Sequence, residues 1–561
     1  MWVLGEVNTN KVASHVEGRK FLPSQRTNGL SRLYLLATLI IITSILVIPL
    51  QAFAAKPSTP TYASMPGVTN VQASHAVLGG ATDRTGACVA NAKYDNHHSE
   101  SWIAVDPTNS HHLVAMSKFF FDPQYYLFHI GAYVSRDGGL HWKDAVIPGF
   151  DCQSAPNNSW VDTTDPVLAF DARGNVYSAF LPYSFKYNPD GHQVWGVVPN
   201  DAVFVIKSAD GGDTWTIGNQ GVALETYSSS GLGITADKQW ISVDSNPRSP
   251  FANNVYVGWT LFAGGSNEMW FSRSSDQGAH FSTPIKISRP NNDGPFNQFI
   301  MMGTGPEGTL YAAYTSSPSS KHSMVDVWVL KSTDGGQTFS APMFAATFRA
   351  VSTAALANTT FRDGIADNFA VNPANGHLLL ALEVDSGNGV DVQLTESLDR
   401  GVHWTSPVNV NDPSTVNDGT DQFQPTVSAS PSGTVAVAFY DRRLACPSND
   451  TNILPNDAGR TNFCIDTTIQ FYTDGQLGLQ AEGSNIRVSS STWDPQNPGS
   501  TTGQLPRPFG PTTSLTFIGD YFGLALSNTT AYVLSVSNHD SGMNPSNDQQ
   551  QFLGIVPIPS A

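Results

Sequence analysis

The run Ile518-Gly519-Asp520-Tyr521-Phe522-Gly523 sets a carboxylate next to a phenol. A carboxylate in that place can lower the barrier to attack by the phenolic oxygen, which would make the pair a nucleophile and its base. Glu100, Asp165, Asp237 and Asp367 are further carboxylates, each just ahead of an apolar run. Two carboxylates about 5–10 Å apart can cleave a glycosidic bond held between them. Lys238, Gln298 and Gln424 occupy equivalent places in the sequence. Arg442 and Arg443 end the run Phe439-Tyr440-Asp441-Arg442-Arg443 and could bind an anion. Neighbours on a strand point to opposite sides, so only one of the two could enter a pocket. Plainer readings stand beside these. Tyr521 can pack as a core aromatic while Asp520 bonds its turn, an arginine can pair with Asp441 or a loop carboxylate, and Asp237 can simply pair with Lys238.

These side chains act together only if the fold gathers them. Each precedes or follows an apolar strand, a turn and a second apolar strand. The first such hairpin runs Trp102-Ile103-Ala104-Val105, then Asp106-Pro107-Thr108-Asn109, then Leu113-Val114-Ala115-Met116. It recurs at 167–180, 240–259, 299–314, 369–382, 427–439 and 521–536, with breakers such as Asp171-Ala172-Arg173-Gly174 in the turns. That makes seven hairpins.

A second pattern follows five of them. Ser135-Arg136-Asp137-Gly138-Gly139-Leu140-His141-Trp142 is echoed around Asp210, Asp276, Asp334 and Asp399, at intervals of 58 to 73 residues. Asp and Ser side chains can bond the backbone of their own turn, and Gly permits positive φ. The aromatic three residues on can drop between sheets, so the pattern is a strand-turn-strand clip. The interval suits a four-stranded propeller blade with its loops.

These residues resemble the Asp-box, or bacterial neuraminidase repeat, Ser-x-Asp-x-Gly-x-Thr-Trp, of the sialidase-like β-propeller superfamily. The resemblance runs from about residue 100 to the C-terminus. It implies an all-β propeller of four-stranded antiparallel blades with the boxes at the periphery, away from the active site. Known sialidases of the family have six blades. The hairpin count here favours seven, the last closed by an N-terminal strand near Ala76 to Gly79. In that topology the boxes and the first–second strand turns share one face. The opposite face is built by the residues entering each first strand: Glu100, Asp165, Asp237 with Lys238, Gln298, Asp367, Gln424, and Asp520 with Tyr521. The resemblance further implies a tyrosine nucleophile assisted by a glutamate, an aspartate acid/base and three arginines on a substrate carboxylate. Tyr521, Asp520, Asp237 and Glu100 are thus the candidate catalytic residues, and Arg442, Arg443, Lys238 and Gln424 the candidate substrate contacts. The family's Phe/Tyr-Arg-Ile-Pro motif is absent, and only Arg362 and Arg507 join Arg442 and Arg443 as arginines available to that face.

Composition sets the outer bounds. At 561 residues the length suggests three or four domains unless repeats build one unit, and they do here. Charged residues make up 13% of the chain and the net charge is −17, the wrong sign for nucleic acid or anionic lipid. Lys11, Arg19, Lys20, Arg26 and Arg32 precede the apolar run Leu33 to Leu50, and Ala52-x-Ala54 follows it. This reads as a secretory signal over 1–55 cleaved near Ala54 or Ala55, with an uncleaved anchor as the alternative. A Pro/Ser/Thr linker is expected at 56–75 and the propeller at 76–561, a secreted monomer acting on a glycan.

Four cysteines permit three pairings. Cys446 with Cys464 is expected around a Pro/Asn/Asp/Gly loop, leaving Cys88 with Cys152. No zinc spacing accompanies them, and no cofactor or metal is read from the sequence. Asp412 to Asp421 could hold a structural Ca²⁺ but lacks EF-hand spacing. Three functions fit: an exo-acting glycoside hydrolase on sialylated or other glycans, a non-catalytic glycan-binding or adhesion propeller, and a hydrolase of a neutral polysaccharide using a carboxylate pair drawn from Glu100, Asp165, Asp237, Asp367 and Asp520.

Overall fold

The computed structural model describes residues 62 to 559 apart from loop segments, the longest being 148–161, 185–199, 448–460 and 496–515. The signal segment and its cleavage site, Arg507, and the pairing of Cys88 with Cys152 lie outside the described residues. Among the described residues no helix is long and apolar enough to cross a membrane.

The described residues form an all-β propeller. Five sheets have four strands, and an eight-stranded sheet consists of two four-strand meanders joined by one parallel bridge, Asn267 to Phe296. The described residues thus make seven four-stranded units, called blades 1 to 7 below. Their innermost strands are His98–Asp106, Asp162–Phe170, Ile234–Val243, Phe296–Thr304, Asp367–Val371, Gln422–Ala429 and Gly523–Leu526. Alternation along each strand sends apolar side chains to both blade faces, where the neighbouring blades cover them. Val114, Ile130, Phe170 and Phe204 join blades 1 and 2, and Phe423, Ile469, Leu524 and Val533 join blades 6 and 7. Ile103, Leu113, Leu534 and Leu553 close blade 7 against blade 1.

The ring is closed by a strand from the N-terminal side. Thr69–Gln72 pairs antiparallel with Gln550–Pro557 as the outer strand of blade 7. The expected closing segment near Ala76 to Gly79 does not do this: Val77–Thr82 instead pairs with Cys88–Tyr94 in a separate hairpin. The propeller therefore begins within the expected 56–75 linker. The strand that Thr69–Gln72 pairs with, Gln550–Pro557, lies nearly the whole chain away in sequence.

Each of the five Ser-x-Asp turns joins the third and fourth strands of blades 1 to 5. At Asp210, the Ser208 hydroxyl donates to Oδ1 at 2.7 Å and accepts from Gly212 N at 2.7 Å, while Thr214 N donates to Asp210 Oδ1 at 2.9 Å. Asp137, Asp276, Asp334 and Asp399 accept equivalent bonds. Gly139 has φ of 92°, and a Cβ there would lie 2.3 Å from Leu553, so this position needs glycine twice over. All five clips lie at the opposite ends of the blades from the inner-strand entries.

Candidate functional site

The inner strands do not start as regular strands. A register shift interrupts five of them at Ser99/Trp102, Thr164/Val167, Asp237/Trp240, Gln298/Met301 and Phe423/Thr426. At these bulges Glu100, Asp165, Lys238, Phe299 and Gln424 take φ between 47° and 58°. A non-glycine residue there costs about 1–2 kcal/mol, and bulges re-aim side chains next to functional sites. Here the bulges bring polar side chains from successive blades to one pocket. It is lined by Asp165, Lys238, Phe299, Asp367, Gln424, Asp520 and Tyr521, among others.

Lys238 is the hub of the ionic side of this pocket. Its Nζ lies 3.1 Å from Asp165 Oδ2, 3.1 Å from Asp520 Oδ2 and 3.9 Å from Glu100 Oε1. The same ammonium sits 4.9 Å from the centre of the Tyr521 ring. Burial alone would depress the Lys238 pKa, but Asp165, Asp520 and Glu100 together raise it, so the cation is secure. Burial pulls the Asp165 carboxyl upward, yet Lys238, then Lys118 and the Thr164 hydroxyl, hold it below its ordinary value. Asp165 is therefore an ionised carboxylate at neutral pH.

Glu100 stands behind the pocket wall, not on it. Its Oε2 is 2.9 Å from Lys118 Nζ, and Lys118 in turn sits 4.5 Å from the centre of the Phe517 ring. Burial, reinforced by Asp165 and opposed by Lys118 and Lys238, pushes Glu100 up to about 7. Asp237 also stays off the lining; its Oδ1 accepts from Lys238 N at 2.9 Å, and burial above all raises its pKa. Lys238 forms ion pairs with side chains of other blades, Asp165, Asp520 and Glu100.

Asp367 faces the pocket in a different state. It is 1% exposed, and neither carboxylate oxygen has a hydrogen-bond partner among the described residues. Among the described residues no cation compensates it, so burial pushes its pKa up to about 8. At neutral pH it carries a proton. Gln424, its neighbour on the lining, donates from Nε2 to Asp363 Oδ1 at 3.1 Å and to Gly519 O at 2.9 Å. Glu383 lies beyond, accepting from Gln424 N at 2.7 Å, with its pKa raised first by burial and then by Asp363.

Tyr521 lines the pocket, with Asp520 beside it. Its hydroxyl donates to Pro166 O at 3.2 Å, and its ring meets Trp102 edge-on at 6.0 Å. Burial, then the carboxylates of Asp165, Glu100 and Asp520, raises its pKa well above 10. The surroundings that would activate a phenol as a nucleophile here oppose its ionisation.

The two arginines are a correction. Arg442 and Arg443 are fully buried and absent from the pocket lining. Arg442 donates to Asp421 Oδ2 at 3.0 Å and to Ala357 O at 2.7 Å. Arg443 donates to Asp441 Oδ2 at 2.8 Å, to Asp412 Oδ2 at 2.6 Å and to Asn485 Oδ1 at 2.8 Å. They do point apart, but each into carboxylates, and these same bonds occupy Asp412 and Asp421 of the loop considered for Ca²⁺. Cys446 and Cys464 form a disulfide just beyond them. Among its described residues, the pocket lining contains no arginine.

Lys118 was not a candidate, although a charge inside the apolar run Leu113 to Phe121 is a visible signal. Glu383, at the end of Leu378-Leu379-Leu380-Ala381-Leu382, is a second case of the same kind.

No protein-family model matches the chain, and no curated protein matches it. Solved structures resemble it at low identity. A protein of unknown function from Dyadobacter fermentans aligns over 88% of this chain and 100% of its own, with 13% identity and a TM-score of 0.42. A Penicillium chrysogenum alpha-L-arabinanase, complexed with arabinobiose, aligns over 72% and 98%, with 10% identity and a TM-score of 0.42. A Hadza microbial sialidase aligns over 79% and 76%, with 14% identity and a TM-score of 0.39.

Proposed function

We propose that this protein is a glycoside hydrolase acting on neutral glycans, with Asp367 as proton donor and Asp165 as the ionised carboxylate. One observation carries the reading: a single pocket holds one carboxyl kept protonated by burial and another kept ionised by a lysine. Two titratable groups driven apart by their environments are the mark of an acid and a base working at one pH. Asp367, on blade 5, would give its proton to the leaving glycosidic oxygen. Asp165, on blade 2, would balance the positive charge that develops on the sugar or activate the attacking water. Asp520 shares Lys238 with Asp165 and supports the same charge.

Neutral substrates fit better than sialylated ones. The lining presents Asp165, Asp367 and Asp520 against Lys238, with no arginine fork for a substrate carboxylate among the described residues. The Tyr521 phenol is held neutral, which disfavours the tyrosine mechanism. Trp240 and Tyr521 on the wall offer apolar faces to a sugar ring. The signal-like leader supports a secreted protein. The five Ser-x-Asp turns, each between third and fourth strands, support a place in the sialidase-like superfamily.

The test is the rate of neutral-oligosaccharide cleavage against pH. Cleavage by the wild type should fall as pH rises through about 8, and Asp367→Asn should cost about 10²–10⁴-fold, the usual share of a general acid. Full activity in Asp367→Asn would refute the assignment.

A further inference from the structure

Blade 6 joins its third and fourth strands, Asp466–Gly475 and Gly478–Arg487, without a Ser-x-Asp clip. Side chains of blade 5 hold this turn instead. Asp474 Oδ2 accepts from Asn372 Nδ2 at 2.6 Å and from Asn375 Nδ2 at 2.9 Å. His377 Nδ1 lies 2.8 Å from Asp474 Oδ1, and Glu396 Oε1 accepts from Leu479 N at 2.8 Å. His377, Glu396 and Asp474 each offer a donor atom, and the three atoms lie within 4.8 Å of one another.

Two features separate this cluster from an ordinary polar turn. Glu396 is 7% exposed, and its Oε2 is buried with no hydrogen-bond partner among the described residues; such an atom is expensive unless something binds it. The Asp474 side chain is completely covered. The Glu396 carboxylate is also fixed in place, because Gly478 packs so closely that a Cβ there would lie 2.3 Å from Oε1. The polar side chains that can share a ligand with this carboxylate are His377 and Asp474.

We propose that His377, Glu396 and Asp474 bind a divalent zinc-class ion that ties the blade 6 turn to blade 5. One imidazole nitrogen and two carboxylate oxygens suit Zn²⁺, whereas Ca²⁺ and Mg²⁺ prefer shells made of oxygen alone. The ion would satisfy Glu396 Oε2 and do for blade 6 what the Ser-x-Asp clips do for blades 1 to 5. The site lies at the clip ends of the blades, away from the pocket, so its role is structural and independent of the glycosidase reading.

The experiment uses the folded protein after chelator treatment and dialysis, titrated with Zn²⁺ by calorimetry and with Co²⁺ by visible absorption. Expected are one ion per chain, a Zn²⁺-dependent rise in Tm, and Co²⁺ bands of a mixed nitrogen and oxygen site. Glu396→Gln and His377→Gln should each weaken binding at least about tenfold. Unchanged affinity in both variants would overturn the proposal, as would an equal rise in Tm with Ca²⁺. If a variant does not fold, anomalous scattering at the zinc edge from wild-type crystals decides: an ion at these three side chains supports the site, and none there overturns it.

Discussion

Lys238 Nζ and Asp165 Oδ2 are 3.1 Å apart, each carried by a positive-φ bulge at the start of an inner strand, on adjacent blades. Backbone strain at two entries is thereby spent on one ion pair that fixes the charge of the pocket. Asp520 and Glu100 complete the shell around the same ammonium.

Removing the ammonium should be severe. Lys238→Met would leave the Asp165, Asp520 and Glu100 carboxyls without their shared cation, and breaking a buried pair from one side costs about 3–5 kcal/mol. Urea denaturation at pH 7 measures this. The deficit should shrink at about pH 4, where the carboxyls take up protons.

Asp367 makes a prediction of opposite sign. Its carboxyl titrates near 3.8 when unfolded and at about 8 when folded, so the folded chain holds the extra proton between those values. Its contribution is full below about pH 4 and is lost as pH rises toward 8. Asp367→Asn should therefore be more stable than the wild type at pH 8 and show a flatter stability curve from pH 4 to 8. Thermal melts across that range check it.

The buried arginines should prove structural. Arg443→Met strands Asp441 and Asp412, which points again to a loss of about 3–5 kcal/mol. KM for a neutral glycan should be unchanged in whatever fraction folds, and a rise in KM without loss of stability would return Arg443 to a binding role.

The Ser-x-Asp turns give an acid-limb prediction. Burial is the largest single influence on Asp276 and Asp334 and pushes both upward, but the hydrogen bonds of their own turns together outweigh it and hold them at about 2. Their stabilisation is present above about pH 4 and disappears as pH falls toward 2. Asp276→Ala and Asp334→Ala should each cost about 1 kcal/mol at pH 7, add in the double variant, and leave activity intact.

What could be read from the sequence was whatever local pattern decides. The hairpins and the five turns are built from neighbours in the chain, so Val427 to Phe439 or Ser208 to Trp215 announce themselves. The entry residues were legible in part, because blade topology puts the inner strands' starts on one face; Asp165, Lys238, Asp367, Gln424, Asp520 and Tyr521 reach the lining, while Glu100, Asp237 and Gln298 do not. Ionic partners were not legible. Lys118 finds Glu100 across a strand pair, and Arg443 finds Asp412 from another blade. Nor could spacing reveal that Asp367 has no cation beside it among the described residues while Asp165 has one, and the proposed division into proton donor and carboxylate rests on that difference. The closing strand, Thr69–Gln72, was missed because its partner Gln550–Pro557 lies at the other end of the chain.

The most direct measurement is sugar release from neutral and sialylated oligosaccharides, side by side, by the purified wild type, Asp367→Asn and Tyr521→Phe. Expected is release from neutral glycans that Asp367→Asn abolishes and Tyr521→Phe leaves nearly intact. Release of sialic acid that Tyr521→Phe abolishes, or no release from any glycan, would contradict it.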